Sequence, residues 1–350
     1  MGLGDLCAGK HLTGLRDIYG ETLVELGETN KDIVVLDADL SQSTRTAWFG
    51  ARFPDRFFNM GVSEQDMIGT AAGLALAGKV PFVSTFAIFE TGRAWEQIRL
   101  GLCLSQLPVK LVASHGGITV GEDGPTHHCV EDAALMRVLP NMTVVFPADA
   151  CEMRSVIIQS LSMKGPLYVR GSREKFPDIT CRDTEFRIGK ASVLRDGGDL
   201  AIIACGLMVD FSLQAAQMLA QDGIDARVIN MSTLKPIDTK ATIAAARETG
   251  RILTVEEHSI IGGLGSAVCE VLSESYPVPV RRLGVPDRFS VSGPSGDLLR
   301  RCKLTPRDIS EAALEFCNDR RHLTVVQKAL SEPQGSSHRH SIQHQEGNKK

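Results

Sequence analysis

Helix-like and strand-like patterns alternate along almost the whole chain, and this alternation limits its fold more than any other feature. Apolar runs at 33–36, 80–84 and 109–113 have the length of buried strands, and segments with helical spacing separate them. Successive parallel strands need a crossover connection, which is usually a helix, so such a series forms a parallel sheet with helices on both faces. The pattern therefore predicts an α/β fold.

A charged segment at 171–184 interrupts this series and marks a domain boundary. Beyond it the alternation resumes with shorter elements. We expect two domains, 1–180 and 187–320, each built on a mostly parallel sheet flanked by helices. The tail 331–350 is rich in Ser, Gln, His and Lys, and we expect it to be disordered because it has little apolar surface to bury.

Composition narrows the class of protein. The hydrophobic and charged fractions, 43% and 23%, are those of an ordinary globular chain. A net charge of −4 does not favour nucleic acid or a membrane surface, and no apolar run is long enough to span a bilayer. The nine cysteines are scattered and include no Cys-x-x-Cys pair, which indicates reduced thiols, no metal site and a cytoplasmic location.

The segment 114–128 carries the densest set of groups capable of chemistry. It follows the strand-like run 109–113 and contains three histidines, two acids and four glycines. Open α/β sheets bind ligands at the carboxyl ends of their strands, glycine allows close backbone approach, and histidine transfers protons near neutral pH. A connector with solvated charges is the alternative. We interpret the segment, called the histidine loop below, as a substrate site.

Glu64 opens a helix that contains many small residues. Ser63 is predicted to cap this helix through its side chain, with Asp66 at the third position of a capping box. The alternative is that an acid in the first turn only stabilises the helix by its favourable interaction with the positive end of the helix dipole. The small residues, among them Gly69 and Gly73, suit close packing against another helix, including one across a subunit interface, so we interpret Glu64 as a functional acid.

Two aromatic residues, Phe86 and Phe89, follow the strand-like run 80–84. Core filling is the ordinary role of a phenylalanine. Aromatic residues make up only 5% of this chain, however, and two of them at one strand end predict a place for a planar ligand ring.

Four segments, taken in order and spacing, resemble the C-terminal half of transketolases, which comprises the pyrimidine-binding and C-terminal domains. The resemblance extends from about residue 16 to residue 317. The segments are Asp37-Ala38-Asp39-Leu40-Ser41-Gln42-Ser43, Gly61-Val62-Ser63-Glu64-Gln65, Ser84-Thr85-Phe86, and Ser114-His115 continuing through Gly121-Glu122-Asp123-Gly124-Pro125-Thr126-His127.

The resemblance implies that the chain binds thiamine diphosphate. Glu64 is then the acid that hydrogen-bonds the aminopyrimidine N1′, which favours the tautomer that removes the thiazolium C2 proton. Phe86 and Phe89 are expected to hold the pyrimidine ring, and Asp39 to lie near the thiazolium.

The resemblance also assigns substrate contacts. His115, Asp123 and His127 are expected to bind the hydroxyls and phosphate of a sugar and, for the histidines, to assist its proton transfers. Ser43 is expected near the phosphate.

Three arginines are candidates for binding that phosphate. Arg170 and Arg173 both lie near the sequence position that corresponds to the family's phosphate-binding arginine. The spacing to Pro177 favours Arg173. Arg16 is the third candidate. A guanidinium can hold phosphate oxygens with two hydrogen bonds, whereas the alternative for each arginine is a surface salt bridge.

Full-length transketolases also carry an N-terminal Gly-Asp-Gly segment and a later Asn that hold Mg²⁺ and the diphosphate. The 350 residues contain no such pair. The resemblance therefore implies a split enzyme, in which a partner subunit carries the diphosphate-binding domain and the Mg²⁺. Self-association as a homodimer, and a heterotetramer with the partner, follow by the same resemblance.

The expected activity is transfer of a two-carbon ketol unit from a ketose phosphate to an aldose. Two alternative enzymes share the glutamate and the two-domain layout: the β subunit of a 2-oxoacid dehydrogenase and a deoxyxylulose-phosphate synthase-like half. The histidine loop favours transketolase over both. A regulatory pseudo-subunit is the non-enzyme alternative, and the presence of Glu64, His115 and His127 argues against it.

Overall fold

The computed structural model describes residues 6–7, 9–180 and 186–319. The tail 331–350, expected to be disordered, lies outside this range. The α-helices are Leu15–Thr29, Ser41–Thr44, Thr46–Arg52, Glu64–Leu76, Trp95–Gln97, Asp132–Arg137, Ala150–Ser160, Met208–Gln221, Thr239–Thr249, Leu264–Ser275, Ser295–Arg301 and Pro306–Asn318. Short π-helical segments at Phe89–Arg93 and Ile98–Leu104, and short 3₁₀-helical segments at Pro54–Arg56 and Ile118–Asp123, add to these.

The strands form three sheets. In chain order they are β1 Leu12–Gly14, β2 Ile33–Asp37, β3 Phe57–Asn59, β4 Val80–Ser84, β5 Lys110–Ala113, β6 Thr143–Val145, β7 Leu167–Arg170, β8 Lys175–Pro177, β9 Ser192–Arg195, β10 Leu200–Ala204, β11 Ala226–Asn230, β12 Thr233–Lys235, β13 Ile252–Ser259 and β14 Val280–Val285.

The larger sheet has seven strands in the order β12-β6-β7-β5-β4-β2-β3. All neighbours are parallel except β12 and β6. Every residue of β2, β5 and β7 is buried, because helices cover both faces of a parallel sheet and leave no polar face. The carboxyl ends of β5, β4, β2 and β3 thus lie side by side along one edge.

The second sheet has five strands in the order β14-β13-β10-β11-β9, with β9 antiparallel to β11. Both sheets are mostly parallel and flanked by helices, so the prediction of a two-domain α/β fold is confirmed. The assignment of limits at 1–180 and 187–320 remains a prediction.

The structure departs from the sequence prediction at two short strands and one cap. Strand β12 belongs in sequence to the second domain but completes the first sheet, and β8 pairs with β1 inside the segment predicted as a boundary. Ser63 does occupy the cap position of the Glu64 helix, but its side chain makes no capping hydrogen bond, so the predicted capping box is wrong.

Two chemical features concern the whole described part of the chain. None of its helices combines the length and the apolarity needed to cross a membrane. Seven cysteines are free, as predicted, whereas Cys151 is disulfide-bonded, contrary to the expectation of reduced thiols throughout.

Candidate active site

The predicted site residues lie at the carboxyl edge of the larger sheet. Asp39 and Ser43 follow β2, Glu64 follows β3, Phe86 follows β4, and His115 follows β5. Backbone hydrogen bonds tie the last two segments together, because Ser114 N donates to the Thr85 carbonyl (3.0 Å) and Ala87 N donates to the Ser114 carbonyl (2.8 Å). The wall that carries the aromatic and histidine side chains is therefore held by main chain.

Glu64 is the first residue of its helix, and its side chain is 1% exposed. Arg93 Nη1 donates a hydrogen bond to its Oε1 at 2.6 Å. Within the described residues, the buried Oε2 has no hydrogen-bond partner. A buried polar oxygen without a partner is costly, so this atom marks where a polar ligand group would be bound most favourably.

Four rings form one cluster, and Arg93 links it to that carboxyl group, because its guanidinium carbon lies 4.5 Å from the Phe89 centroid. The Phe86 and Phe89 centroids are 6.0 Å apart with nearly parallel planes, and His115 stacks on Phe86 at 3.7 Å. His127 meets the Phe89 ring edge-on at 5.3 Å. The structure thus brings together four predicted site residues, and the cluster presents both apolar ring faces and imidazole nitrogens.

His115 is buried and has a left-handed backbone (φ 59°), which is uncommon outside glycine. Its Nδ1 lies 2.8 Å from Ser114 Oγ. Burial, and next the positive charge of Arg16, lower the pKa of His115 to about 3. The imidazole is consequently neutral at physiological pH and can both donate and accept a hydrogen bond.

The histidine loop depends on a histidine that the sequence prediction did not single out. His128 is buried, and its Nε2 lies 2.9 Å from the carbonyl oxygen of Gly121, whose φ of +83° favours glycine. Burial lowers the pKa of His128, so a neutral ring donates to that carbonyl. From the second domain, the Ser292 hydroxyl donates to the Glu122 carbonyl. These contacts fix the turn that carries Asp123.

The two neighbouring arginine candidates occupy different environments. Arg173, 36% exposed, donates from Nη1 to the Val120 carbonyl at 2.5 Å and lies 3.6 Å from Asp123 Oδ1. Arg170, 7% exposed, has its Nε 3.5 Å from Asp132 Oδ2. The structure therefore brings Arg173, and not Arg170, to the open side of the histidine loop.

Arg170 packs beneath the loop instead. A Cβ atom at Gly116 would lie 2.1 Å from its Nε, and one at Gly117 would lie 2.5 Å from its Nη2. The guanidinium also lies over the Phe146 ring at 4.7 Å. These contacts favour a structural role for Arg170.

Arg16 and Ser43 are in contact, since Arg16 Nη1 donates to the Ser43 carbonyl at 3.2 Å. Burial, and next the charge of Arg45, lower the pKa of Arg16. Arg45, which the sequence prediction missed, has a left-handed backbone and pairs with Asp17 at 2.7 Å. This residue lies between two short helices, where the sequence has no periodic pattern that would have indicated its role. Both arginines act electrostatically on His115, so this side of the site is cationic.

Asp39 is exposed and also has a left-handed backbone (φ 64°). Its Oδ1 accepts a hydrogen bond from Asn59 Nδ2 at 3.0 Å, which links the ends of β2 and β3. Among the described residues there is no cluster of three or more His, Cys, Asp or Glu that could hold a metal ion.

Comparison with protein families assigns both halves of the chain. Residues 13–178 match the model of the transketolase pyrimidine-binding domain, and residues 189–309 match that of the transketolase C-terminal domain.

Two relatives each match nearly end to end. The 6-deoxy-6-sulfo-D-fructose transketolase subunit SqwH of Clostridium sp. strain MSTE9 is 43% identical, covering 86% of this chain and 94% of the relative. An apulose-4-phosphate transketolase subunit of Phocaeicola vulgatus is also 43% identical, covering 87% of this chain and 98% of the relative.

A solved structure agrees with these matches. A split-gene transketolase, described as an inactive β4 tetramer, is 48% identical and superposes with a TM-score of 0.78 over 91% of this chain and 98% of that chain. The chain belongs to the transketolase family, whose members use thiamine diphosphate, and it is the C-terminal-type subunit of a split transketolase, a transferase.

Proposed function

We propose that this subunit supplies the pyrimidine-binding and sugar-binding wall of a shared active site, where a two-carbon ketol unit passes from a ketose phosphate to an aldose. The observation that carries the proposal is Glu64: a buried carboxyl group beside a cluster of four rings, with one oxygen left without a partner among the described residues. The domains proposed to carry the two family matches are 1–180 and 187–320.

The residues present fit thiamine diphosphate. Glu64 Oε2 would share its proton with the pyrimidine N1′. Phe86 and Phe89 would hold the pyrimidine ring, and Asp39 would lie toward the thiazolium. The cofactor, when bound, supplies the electron sink that stabilises a substrate carbanion. The diphosphate and its Mg²⁺ are assigned to a partner subunit that carries the N-terminal-type domain, since this chain matches the pyrimidine-binding and C-terminal family models.

The substrate's proton transfers are assigned to the histidines. His115 is neutral, so one ring nitrogen can accept a hydrogen bond from a substrate hydroxyl while the other donates one. His127 lies against Phe89, on the ring where the pyrimidine would stack. Asp123 is exposed at the turn of the loop and is proposed to accept a hydrogen bond from a sugar hydroxyl.

The distal anion of the sugar is assigned to the cationic side of the site. Arg173 and Arg16, with Ser43, are the proposed contacts. Arg170 is not included because it is buried and forms an ion pair with Asp132. The two relatives of equal identity are named for a sulfonated and a phosphorylated sugar, so identity alone does not choose between these anions. We propose a sugar phosphate.

Self-association is proposed through the outer face of the Glu64 helix. Gly69 and Gly73 have open space where a side chain would be, and Leu76 is 75% exposed. Leu104, at the end of a neighbouring helical turn, is also exposed. Small residues with a flanking leucine let another backbone approach closely, which suits a homodimer and, with the partner, a heterotetramer. A cytoplasmic location is proposed because, among the described residues, seven cysteines are free and only Cys151 is disulfide-bonded.

One reconstitution experiment tests the proposal. The subunit is mixed with a candidate N-terminal-type partner, thiamine diphosphate and Mg²⁺, and is assayed with a ketose phosphate, a sulfonated ketose and pyruvate as donors. Ketol transfer from the ketose phosphate is expected. Turnover of pyruvate alone would favour the deoxyxylulose-phosphate synthase-like or 2-oxoacid dehydrogenase alternatives, and a fully active Glu64→Gln complex would refute the role of Glu64.

A further inference from the structure

Arg93 makes two contacts within the proposed cofactor pocket, and the reaction as described above uses neither. Its Nη1 donates to Glu64 Oε1 at 2.6 Å, and its guanidinium carbon lies 4.5 Å from the centroid of the Phe89 ring. The Arg93 side chain is 47% exposed, whereas that of Glu64 is 1% exposed. A half-exposed cation thus reaches inward to a fully buried carboxyl group.

The backbone of Arg93 is held as well as its side chain. Gln65 Nε2 donates to the Arg93 carbonyl at 3.1 Å, so the Glu64 helix contacts this residue through two successive side chains. Arg93 ends the π-helical turn Phe89–Arg93, which also carries Phe89. One short segment therefore contributes both an aromatic ring of the pocket and the cation that pairs with Glu64.

The two oxygens of Glu64 have different surroundings. Oε1 is taken by Arg93, while the buried Oε2 has no partner among the residues that the structure describes. A carboxyl group held at one oxygen by a guanidinium has little freedom to rotate, because turning it would break a short charge-assisted hydrogen bond. The remaining oxygen is thereby kept available in a fixed direction.

We propose that Arg93 is a positioning residue for the transferase reaction: it holds Glu64 by Oε1 so that Oε2 is free to meet the pyrimidine nitrogen. The inference rests on the proposed role of Glu64. Arg93 touches no reacting atom and acts only through this carboxyl group and through the ring of Phe89. Arginine suits the position because its planar group can stack on a ring and donate in the same plane, which a lysine ammonium cannot do.

The test uses the complex reconstituted with its partner and three variants, Arg93→Met, Arg93→Lys and Glu64→Gln. The control is Arg52→Met, since Arg52 also pairs with a glutamate (Glu28, 2.8 Å) and lies over a ring (Phe53, 5.3 Å). Two readouts other than turnover are taken: the Kd for thiamine diphosphate, and the rate at which the bound cofactor's C2 proton exchanges with deuterium.

Arg93→Met is expected to slow C2 exchange at saturating cofactor by about 100-fold, the scale of a misplaced catalytic group, and to weaken cofactor binding. Arg93→Lys should recover part of the exchange rate, and Arg52→Met should change neither readout. Wild-type exchange in Arg93→Met, with exchange lost in Glu64→Gln, would overturn this inference alone. Wild-type exchange in Glu64→Gln would overturn the proposed function. If neither Arg93 variant assembles with the partner, Arg93 is structural and the inference also fails.

Discussion

Glu90 is a buried acid whose replacement should stabilise the protein. Its side chain is fully buried, and neither carboxyl oxygen has a hydrogen-bond partner within the described chain. Burial, and next the charge of Asp37, raise the pKa of Glu90 well above its ordinary value of 4.5. Asp37 itself accepts hydrogen bonds from Leu40 N, Thr44 and Thr46, so Glu90 is the member of the pair that keeps its proton.

The sign of the pH effect follows from this raised pKa. Above pH 4.5 the unfolded chain loses the Glu90 proton while the folded chain keeps it, so the contribution of Glu90 to wild-type stability is greatest at low pH and falls as pH rises toward the folded pKa. The loss is about 1.4 kcal/mol for each pH unit inside that window. Glu90→Gln keeps the shape and removes the titration, so its advantage over wild type should grow with pH by this amount.

Thermal unfolding of wild type, Glu90→Gln and the exposed control Glu96→Gln at pH 5, 6, 7 and 8 measures the effect. Below the folded pKa, the difference in Tm between Glu90→Gln and wild type should widen by roughly 3–6 °C per pH unit, from about 1.4 kcal/mol at about 2–4 °C per kcal/mol for a domain of about 150–250 residues. Burial raises the pKa of Glu152 and Glu256 to about 7. Both residues are present in all three proteins, so their contributions cancel in the difference in Tm. A difference that stays flat or reverses between pH 5 and 8 refutes the reasoning.

Three further predictions concern the site and the interface. Arg173→Met should raise the KM for a phosphorylated sugar by about 10-fold to 100-fold with little change in Tm. Arg170→Met should instead lower the free energy of unfolding by about 3–5 kcal/mol, and steady-state kinetics and thermal unfolding of the two variants measure both effects. His115→Gln should lower kcat/KM by the same factor at every pH from 5 to 8, because the pKa of about 3 keeps the wild-type ring neutral throughout this range. A factor that changes with pH would contradict this prediction. Leu76→Asp should shift the subunit to a smaller species in sedimentation, and an unchanged species argues against the proposed interface.

The position of the site was predictable because it follows from a general property of α/β sheets. Ligands bind at the carboxyl ends of parallel strands, and the sequence shows where the strands end. Phe86, Phe89 and His115 could therefore be placed on adjacent strand ends, and the structure stacks these rings. The choice between Arg170 and Arg173 could also have been made: Arg170 is the last residue of the buried strand β7, while Arg173 lies beyond it.

The features that could not be predicted are those made by distant parts of the chain. The pair between Arg93 and Glu64 joins residues 29 positions apart on two different elements, and neither helix shows a periodic pattern that requires it. The same holds for β12, whose pairing with β6 depends on how the two domains pack. Local patterns specify elements and their faces, whereas such contacts depend on the tertiary arrangement.

The arrangement of this half-site bears on what a partner subunit must provide. The segments that carry Phe86 and His115 are joined by main-chain hydrogen bonds, and the carboxyl group of Glu64 is held by Arg93. Groups fixed in this way need not be ordered when the partner arrives, so assembly should cost little conformational entropy on this side of the interface. Most of the ordering that accompanies activation is then expected in the diphosphate-binding residues of the proposed partner and in the cofactor, so we expect assembly of the two subunits to be favoured by the cofactor.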